Sequence, residues 1–261
     1  MSIAVITGAS AGLGVTFARK LAQAGHDVTL VARRQERLAE VAGEIMREYG
    51  VRTECLVADL ATDEGIAIVA RYIEATPGVE ILVNNAGFGT KGFFFNADLA
   101  GQEQMHRVHV MATMRLTHAA LRKMVAQQKG AVINVSSVSA FLIGAGSASY
   151  GATKAWMNAF TEALDAELRV VGSPVKVQAL CPGFTITEFH DTMKMDRAAI
   201  PRWAWLSAED VVDTSLRGLE RGKVIVITGW RYKLFVAITR LVPRSVVRKF
   251  GQASGKRMKR V

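Results

Sequence analysis

The sequence predicts an α/β fold: one parallel sheet of about seven strands with helices on both faces. Three observations carry that prediction. Short β-branched apolar runs recur along the chain, and each is followed by a stretch with helical apolar spacing. The first strand–helix pair is joined by a glycine-rich turn, Gly8-Ala-Ser-Ala-Gly12-Leu-Gly14. The alternation then continues without repeat or linker to about residue 229, as a single sheet covered on both faces requires. A chain of 261 residues is long enough to bury one large core. Its 50% hydrophobic and 21% charged residues read as globular and not disordered.

The elements follow in order. Ile3–Thr7 reads as a buried strand, and apolar periodicity over 15–24 as a helix stopped by Gly25. Asp27–Ala32 is a second strand, and Gln35–Tyr49 a helix closed by Gly50. Residues 54–58 form a third strand, 64–75 a helix stopped by Pro77-Gly78, and 81–83 a fourth strand. One long helix spans 100–128 and leads to a fifth strand, Ala131–Val135. A helix over 149–171 carries Tyr150 and Lys154. Residues 175–180 are a sixth strand, 208–221 a helix and 224–227 a seventh strand.

Two of these units carry chemistry. Strand, glycine-rich turn and helix in that order make a phosphate cradle, because free backbone N–H groups and the positive helix end face an anion. Gly8, Gly12 and Gly14 let the backbone approach a pyrophosphate, with Ser10 and Leu13 in the same turn. Tyr150 and Lys154, four residues apart, lie on one helix face. A lysine cation there lowers the phenol pKa, and Ser137, thirteen residues upstream, can donate a hydrogen bond to a substrate carbonyl.

With these pieces in place, the chain resembles the short-chain dehydrogenase/reductase family over residues 3–228. The matching stretches are Thr7-Gly8-x-x-x-Gly12-x-Gly14, Asp59, Asn84-Asn85-Ala86-Gly87, Ser137, Tyr150-x-x-x-Lys154 and Pro182-Gly183, in the family's order. The resemblance implies a Rossmann-type doubly wound sheet, a nicotinamide cofactor across the strands' carboxyl ends, and reversible carbonyl–alcohol hydride transfer. It implies Tyr150 as acid/base, Lys154 on the nicotinamide ribose, and Ser137 on the carbonyl. It also places Asp59 and Leu60 beside the adenine, and Thr185 (through its backbone) and Thr187 on the carboxamide. Asn85, Ala86 and Gly87 either pass under the adenosine or simply tie strands together.

The second strand ends Ala32-Arg33-Arg34, with no acid before Glu36. An arginine there suits the 2′-phosphate of NADP(H), with Arg33 as the main contact, Arg34 beside it and Ser10 a second contact. One position departs from the family pattern: His109 stands where an asparagine usually binds a water. Its ring either relays protons or is packed with both nitrogens satisfied. His106 and His109 lack a carboxylate or cysteine cluster, so no metal site is expected.

Phe141, Leu142, Ile143, Phe184, Phe189, Met193, Met195, Trp203 and Trp205 lie in or near the loops the family places over the nicotinamide. They either wall an apolar ketone or alcohol substrate or pack a lid or subunit contact. Cys55 and Cys181 sit in apolar strands and read as buried free thiols of a cytoplasmic protein. No run reaches the roughly 18 apolar residues of a spanning helix, and the first strand leaves no room for a signal peptide.

The net charge of +10 is unevenly placed. From Arg217 onward there are thirteen Lys/Arg against Glu220 alone, a balance of +12, and the preceding 216 residues sum to −2. Residues 1–229 therefore form the NADP-binding catalytic domain, and 230–261 a basic amphipathic extension with apolar positions at 230, 234, 238 and 241. That extension packs on its own domain or a partner subunit, lies on an anionic membrane, or attracts an acidic carrier. A similar C-terminal pattern occurs in the reductase branch that handles fatty-acyl and steroid ketones. No nucleic-acid module is visible, and the family's habit is a homo-dimer or homo-tetramer. The competing function is an NADP(H)-sensing regulator on the same fold, which would not need the proton donor.

Overall fold

A computed structural model describes residues 2–90, 92–142, 144–187, 200–243 and 245–249. The strands are β1 (Ile3–Thr7), β2 (Asp27–Ala32), β3 (Thr53–Val57), β4 (Val79–Asn84), β5 (Ala131–Val135), β6 (Lys176–Cys181) and β7 (Ile225–Ile227). They form one seven-stranded sheet in the order β3-β2-β1-β4-β5-β6-β7, with every neighbouring pair parallel. This is the Rossmann-like α/β architecture that the alternation predicts. Strand order reverses between β1 and β4, which opens a crevice at their carboxyl ends where such sheets bind ligands.

The helices are α1 (Gly12–Gln23), α2 (Gln35–Tyr49), α3 (Asp63–Ala75), α4 (Leu99–His106), α5 (Thr113–Ala126), α6 (Ala148–Val170), α7 (Ala208–Glu220) and α8 (Trp230–Leu241). The strand period of two sorts the core into two layers. Ala4 and Ile6 of β1 pack with Phe17 and Leu21 of α1, Leu38 and Ile45 of α2, and Val211 and Val212 of α7. Val5, between them, faces the other way, with Ile66, Val69 and Ile73 of α3 and Leu116 of α5. Two helix starts carry side-chain caps of this kind: Thr62 accepts from the Gly65 N–H and Ser207 from the Asp210 N–H.

Two expectations are corrected here. The predicted single helix over 100–128 is α4 and α5 joined by a π-helical turn, Arg107–Ala112. A π-turn carries one extra residue per hydrogen-bonded loop, so it rotates the side chains that follow and commonly marks a functional position. Cys55 is exposed, whereas Cys181 is buried. The reason is topological: β3 is the outermost strand, so part of its surface has no neighbour to cover it.

Candidate active site

The first half of the site is the β1–α1 turn. Ala11 at the N-cap of α1 offers no side-chain oxygen, and the first turn carries no acid. The first amides are therefore left for an anion, in the field of the helix dipole. Gly14 has no room for a side chain, since a Cβ there would collide with the Gly8 carbonyl oxygen. That approach seats the helix directly on the end of β1. Leu13 packs against the core beneath. Thr187 arrives from far along the chain: a Cβ on Gly12 would lie 3.0 Å from the Thr187 Cβ. The turn and the segment after β6 thus form two sides of one crevice.

Thr7 and Asn85 bolt β1 to β4. The Thr7 Oγ1 accepts from the Asn85 and Ala86 N–H groups, each at 2.9 Å, and donates to the Val83 carbonyl. The Asn85 Nδ2 donates to the carbonyls of Thr7 and Gly8. Gly87 follows directly against the His109 ring. These bonds tie the start of the 85–87 segment to β1.

At the outer rim, the Arg34 Nε and Nη2 donate to the Ser10 Oγ at 3.3 and 3.1 Å, and Nη2 also donates to the Ser10 carbonyl. Arg33, with a side chain 71% exposed, lies 4.0 Å from the Asp59 carboxylate. Ser10 is therefore joined to Arg34, not to Arg33. Asp59 accepts from the Ala61 N–H through Oδ1. Leu60 is buried in the core layer of α3 and α5, so only its backbone reaches the rim.

The second half of the site gathers at the ends of β5 and β6. Ser137 leads into a 3-10 turn, Val138–Phe141, and its Oγ accepts from the Ser139 N–H. Tyr150 is in the first turn of α6, and the Ser137 hydroxyl bonds its phenol. The Lys154 Nζ is 5.8 Å from the Tyr150 ring centroid and donates to the Val135 carbonyl at 2.8 Å. Lys154 is 5% exposed and itself held by the Ser136 Oγ, which donates to its carbonyl. Pro182 accepts from the Val138 N–H, which joins the two strand ends. Thr185 is buried, and its Oγ1 donates to the Gly183 carbonyl.

Burial decides the charge states, which corrects the expectation that Lys154 lowers the Tyr150 pKa. Desolvation pushes the Tyr150 phenol up to about 12, against the pull of its Ser137 bond. It pushes Lys154 down to about 7. Part of the Tyr150 surface remains in solvent, and the functional content is the direction: the phenol is protonated at neutral pH.

His109 sits in the π-turn, fully buried, with its ring 5.8 Å from that of Tyr150. The Phe88 N–H donates to Nε2 at 3.3 Å, so Nδ1 carries the proton and donates to the Thr153 Oγ1 at 2.9 Å. The Thr153 Oγ1 in turn donates to the Tyr150 carbonyl at 2.8 Å. Burial, with Lys154 and His106 nearby, holds the imidazole well below its ordinary pKa. Both nitrogens have partners in the protein, as the packed reading of His109 expects. The ring positions the α6 turn that holds Tyr150. His109→Asn is expected to cost about 1–3 kcal/mol in denaturant unfolding, because it unpairs buried groups. The pH profile of the rate should keep its shape; a shifted profile would return the ring to the proton path.

Sequence reasoning missed the polar layer under the site. The Asn84 Nδ2 donates to the Thr117 Oγ1 and the Asn134 Oδ1, and the Asn134 Nδ2 donates to the Thr161 Oγ1. All four residues are buried. A fully satisfied network of this kind fixes β4, β5 and α6 in one register. The available signal was an asparagine inside each of two apolar strands.

Of the aromatic residues, Phe184 and Trp205 meet with centroids 5.7 Å apart, beside the Thr185 loop. Trp203 does not join them. It is 63% exposed and stacks under the Arg231 guanidinium at 5.0 Å. Ile143, Phe189, Met193 and Met195 lie outside the described residues. No group of three or more potential metal ligands occurs among the described residues.

The family model for short chain dehydrogenase matches residues 2–198. The chain belongs to the short-chain dehydrogenase/reductase family. Among its relatives, the 3-oxoacyl-[acyl-carrier-protein] reductase FabG of Aquifex aeolicus is 32% identical over 239 residues, 87% of this chain and 96% of that protein. A short-chain dehydrogenase from Sphingobium yanoikuyae in complex with NADPH is 34% identical, with a TM-score of 0.82 and 87% of each chain covered. The bulky-bulky ketone specific alcohol dehydrogenase of Comamonas testosteroni is 27% identical, with a TM-score of 0.78, covering 100% of this chain and 95% of that one. As a family member the protein is an oxidoreductase of carbonyl and alcohol groups that uses NAD(P)(H).

Proposed function

We propose that the protein is an NADP(H)-dependent reductase of apolar ketones, working reversibly on the secondary alcohol. The observation that carries this reading is the convergence of Ser137, Tyr150 and Lys154 beside the uncapped start of α1. Gly8, Gly12, Leu13 and Gly14 fit a pyrophosphate, Arg33 and Arg34 a 2′-phosphate, Thr185 and Thr187 a carboxamide, and Lys154 a ribose. When bound there, NADP(H) supplies or accepts the hydride. Ser137 donates a hydrogen bond to the substrate oxygen, and neutral Tyr150 gives it a proton from the phenol. Lys154, poised near neutrality, supplies that proton path with a titratable amine. The oxidised direction runs the same proton back onto a phenolate.

Three features support the substrate class. Phe184 and Trp205 give an apolar wall, Phe141 ends the 3-10 turn that Ser137 starts, and two of the three named relatives are a 3-oxoacyl-[acyl-carrier-protein] reductase and a bulky-bulky ketone specific alcohol dehydrogenase. Exposed Phe94, Phe95 and Leu99 ahead of and on α4, with Met111 and Met114 beyond, offer an apolar contact for a homo-oligomer. An intact proton donor favours an enzyme over a cofactor sensor.

The test is NADPH oxidation across a homologous series of aliphatic ketones and 3-oxoacyl thioesters. The specificity constant is expected to rise about threefold per added methylene until the wall is filled. A flat series with fast turnover of short polar ketones would contradict the apolar assignment.

A further inference from the structure

Helix α8 has two faces that do different things. Tyr232 and Val236 point into the protein, and Val236 is 1% exposed. The Tyr232 hydroxyl donates to the Ala204 carbonyl at 2.6 Å and accepts from the Phe184 N–H at 3.2 Å. The Tyr232 ring fills the space where a Gly183 side chain would be. This inner face grips the backbone on both sides of the loop between β6 and α7. On the outer face, Trp230, Leu234, Phe235, Ile238 and Leu241 are 44–86% exposed. At about 100° per residue they occupy an arc of about 140°, opposite Tyr232, Val236 and Thr239. Trp203 extends the patch, and the Arg231 guanidinium lies between the two indoles, 5.0 Å from the Trp203 ring and 5.1 Å from the Trp230 ring.

The charge of the sequence segment that carries this patch names its occupant. Residues 230–261 hold ten Lys/Arg and no Asp or Glu, which is the whole of the protein's net charge of +10. A second copy of the chain would bring a like charge of that size against itself. The chain's own residues 251–261 offer little to cover the patch: Ala253, Met258 and Val261 stand among four basic residues. An acidic protein would answer the charge and leave five large apolar side chains in water. Tryptophan and arginine around an aliphatic stripe, with lysines and arginines alongside, fit the headgroup region of an anionic bilayer.

We infer that the outer face of α8, with Trp203, docks on anionic lipid bilayers and lies in the interface without spanning it. No described helix is long and apolar enough to cross a membrane. Because the inner face of the same helix holds Phe184 and Ala204, docking sets the substrate loop next to the lipid surface. The proposal does not depend on the identity of the substrate.

The test is flotation of the full-length protein with vesicles of phosphatidylcholine alone or with about a quarter phosphatidylglycerol. Binding is expected with phosphatidylglycerol only, weakened about tenfold in about 0.5 M NaCl. Tryptophan emission should shift to shorter wavelength on binding. The double variant Leu234→Glu/Ile238→Glu changes two exposed positions, and it should bind about a hundredfold more weakly with unchanged circular dichroism. Equal binding by that variant would reduce the effect to tail charge and overturn the docking face. Absence of binding by the wild type, or a variant whose sole change is a smaller oligomer, would assign the face to protein contact and overturn the proposal.

Discussion

Tyr150→Phe should lower kcat for ketone reduction about a thousandfold and leave NADPH binding intact. General acid catalysis by one positioned group contributes about 10²–10⁴ in rate. The substitution removes only the hydroxyl, so the ring keeps its edge contact with His109 at 5.8 Å. The pH dependence separates the two directions. Burial raises the phenol to about 12, so the proton-donating form predominates at every pH below that value, and Tyr150 itself imposes no loss of reduction between pH 6 and 9. Alcohol oxidation needs the phenolate, which grows about tenfold per pH unit below that pKa. Oxidation should therefore climb with pH over the accessible range without the plateau that a phenol titrating near neutrality would give. Stopped-flow measurement of both directions from pH 6 to 9 checks this. A plateau near neutrality would mean that the phenol is far more acidic than its burial implies.

Replacing both rim arginines should have the second-largest effect. A charged hydrogen bond contributes about 1.5–3 kcal/mol, and tenfold in affinity corresponds to about 1.4 kcal/mol. Arg33→Ala alone should lower the NADPH-over-NADH preference about tenfold through KM, and the double Arg33→Ala/Arg34→Ala about a hundredfold or more. The two residues should differ in character. Arg33 is exposed at the rim, 4.0 Å from Asp59 and not bonded into the β1–α1 turn, so its removal should leave NADH turnover unchanged. Arg34 is tied to Ser10 in the β1–α1 turn, so its loss should weaken both cofactors. Steady-state KM values for NADPH and NADH in the three variants measure this. An unchanged preference in the double variant would remove the 2′-phosphate assignment.

What could be read from the sequence was what is local along the chain. The turn from Gly8 to Gly14 and the pair Tyr150/Lys154 need only short fixed spacings, and β2, α2 and β5 have the boundaries their patterns predict. What depended on distant neighbours was hidden. His109 takes its partners from Phe88 and Thr153, 21 and 44 residues away, and the π-turn that aims it leaves the same apolar residues in nearly the same periodicity. Cys55 sits in a run as apolar as a central strand, and only the strand order makes β3 an edge. Asn84 reads as the start of the Asn84–Gly87 stretch and Asn134 as an interruption in an apolar run, until pairing in the same register sets them side by side. Trp203 has the composition of a pocket residue, but helix α8 supplies its partner.

The central claim is that this crevice moves a hydride from NADPH and a proton from Tyr150 onto a ketone. Turnover of a long-chain 3-oxoacyl thioester with NADPH deuterated at the nicotinamide C4 tests it directly, with mass spectrometry of the product. The account predicts one deuterium on the carbinol carbon, a single stereoisomer, and loss of product in Tyr150→Phe. Tight NADPH binding with no deuterated alcohol from any ketone, or product that persists in Tyr150→Phe, would contradict it.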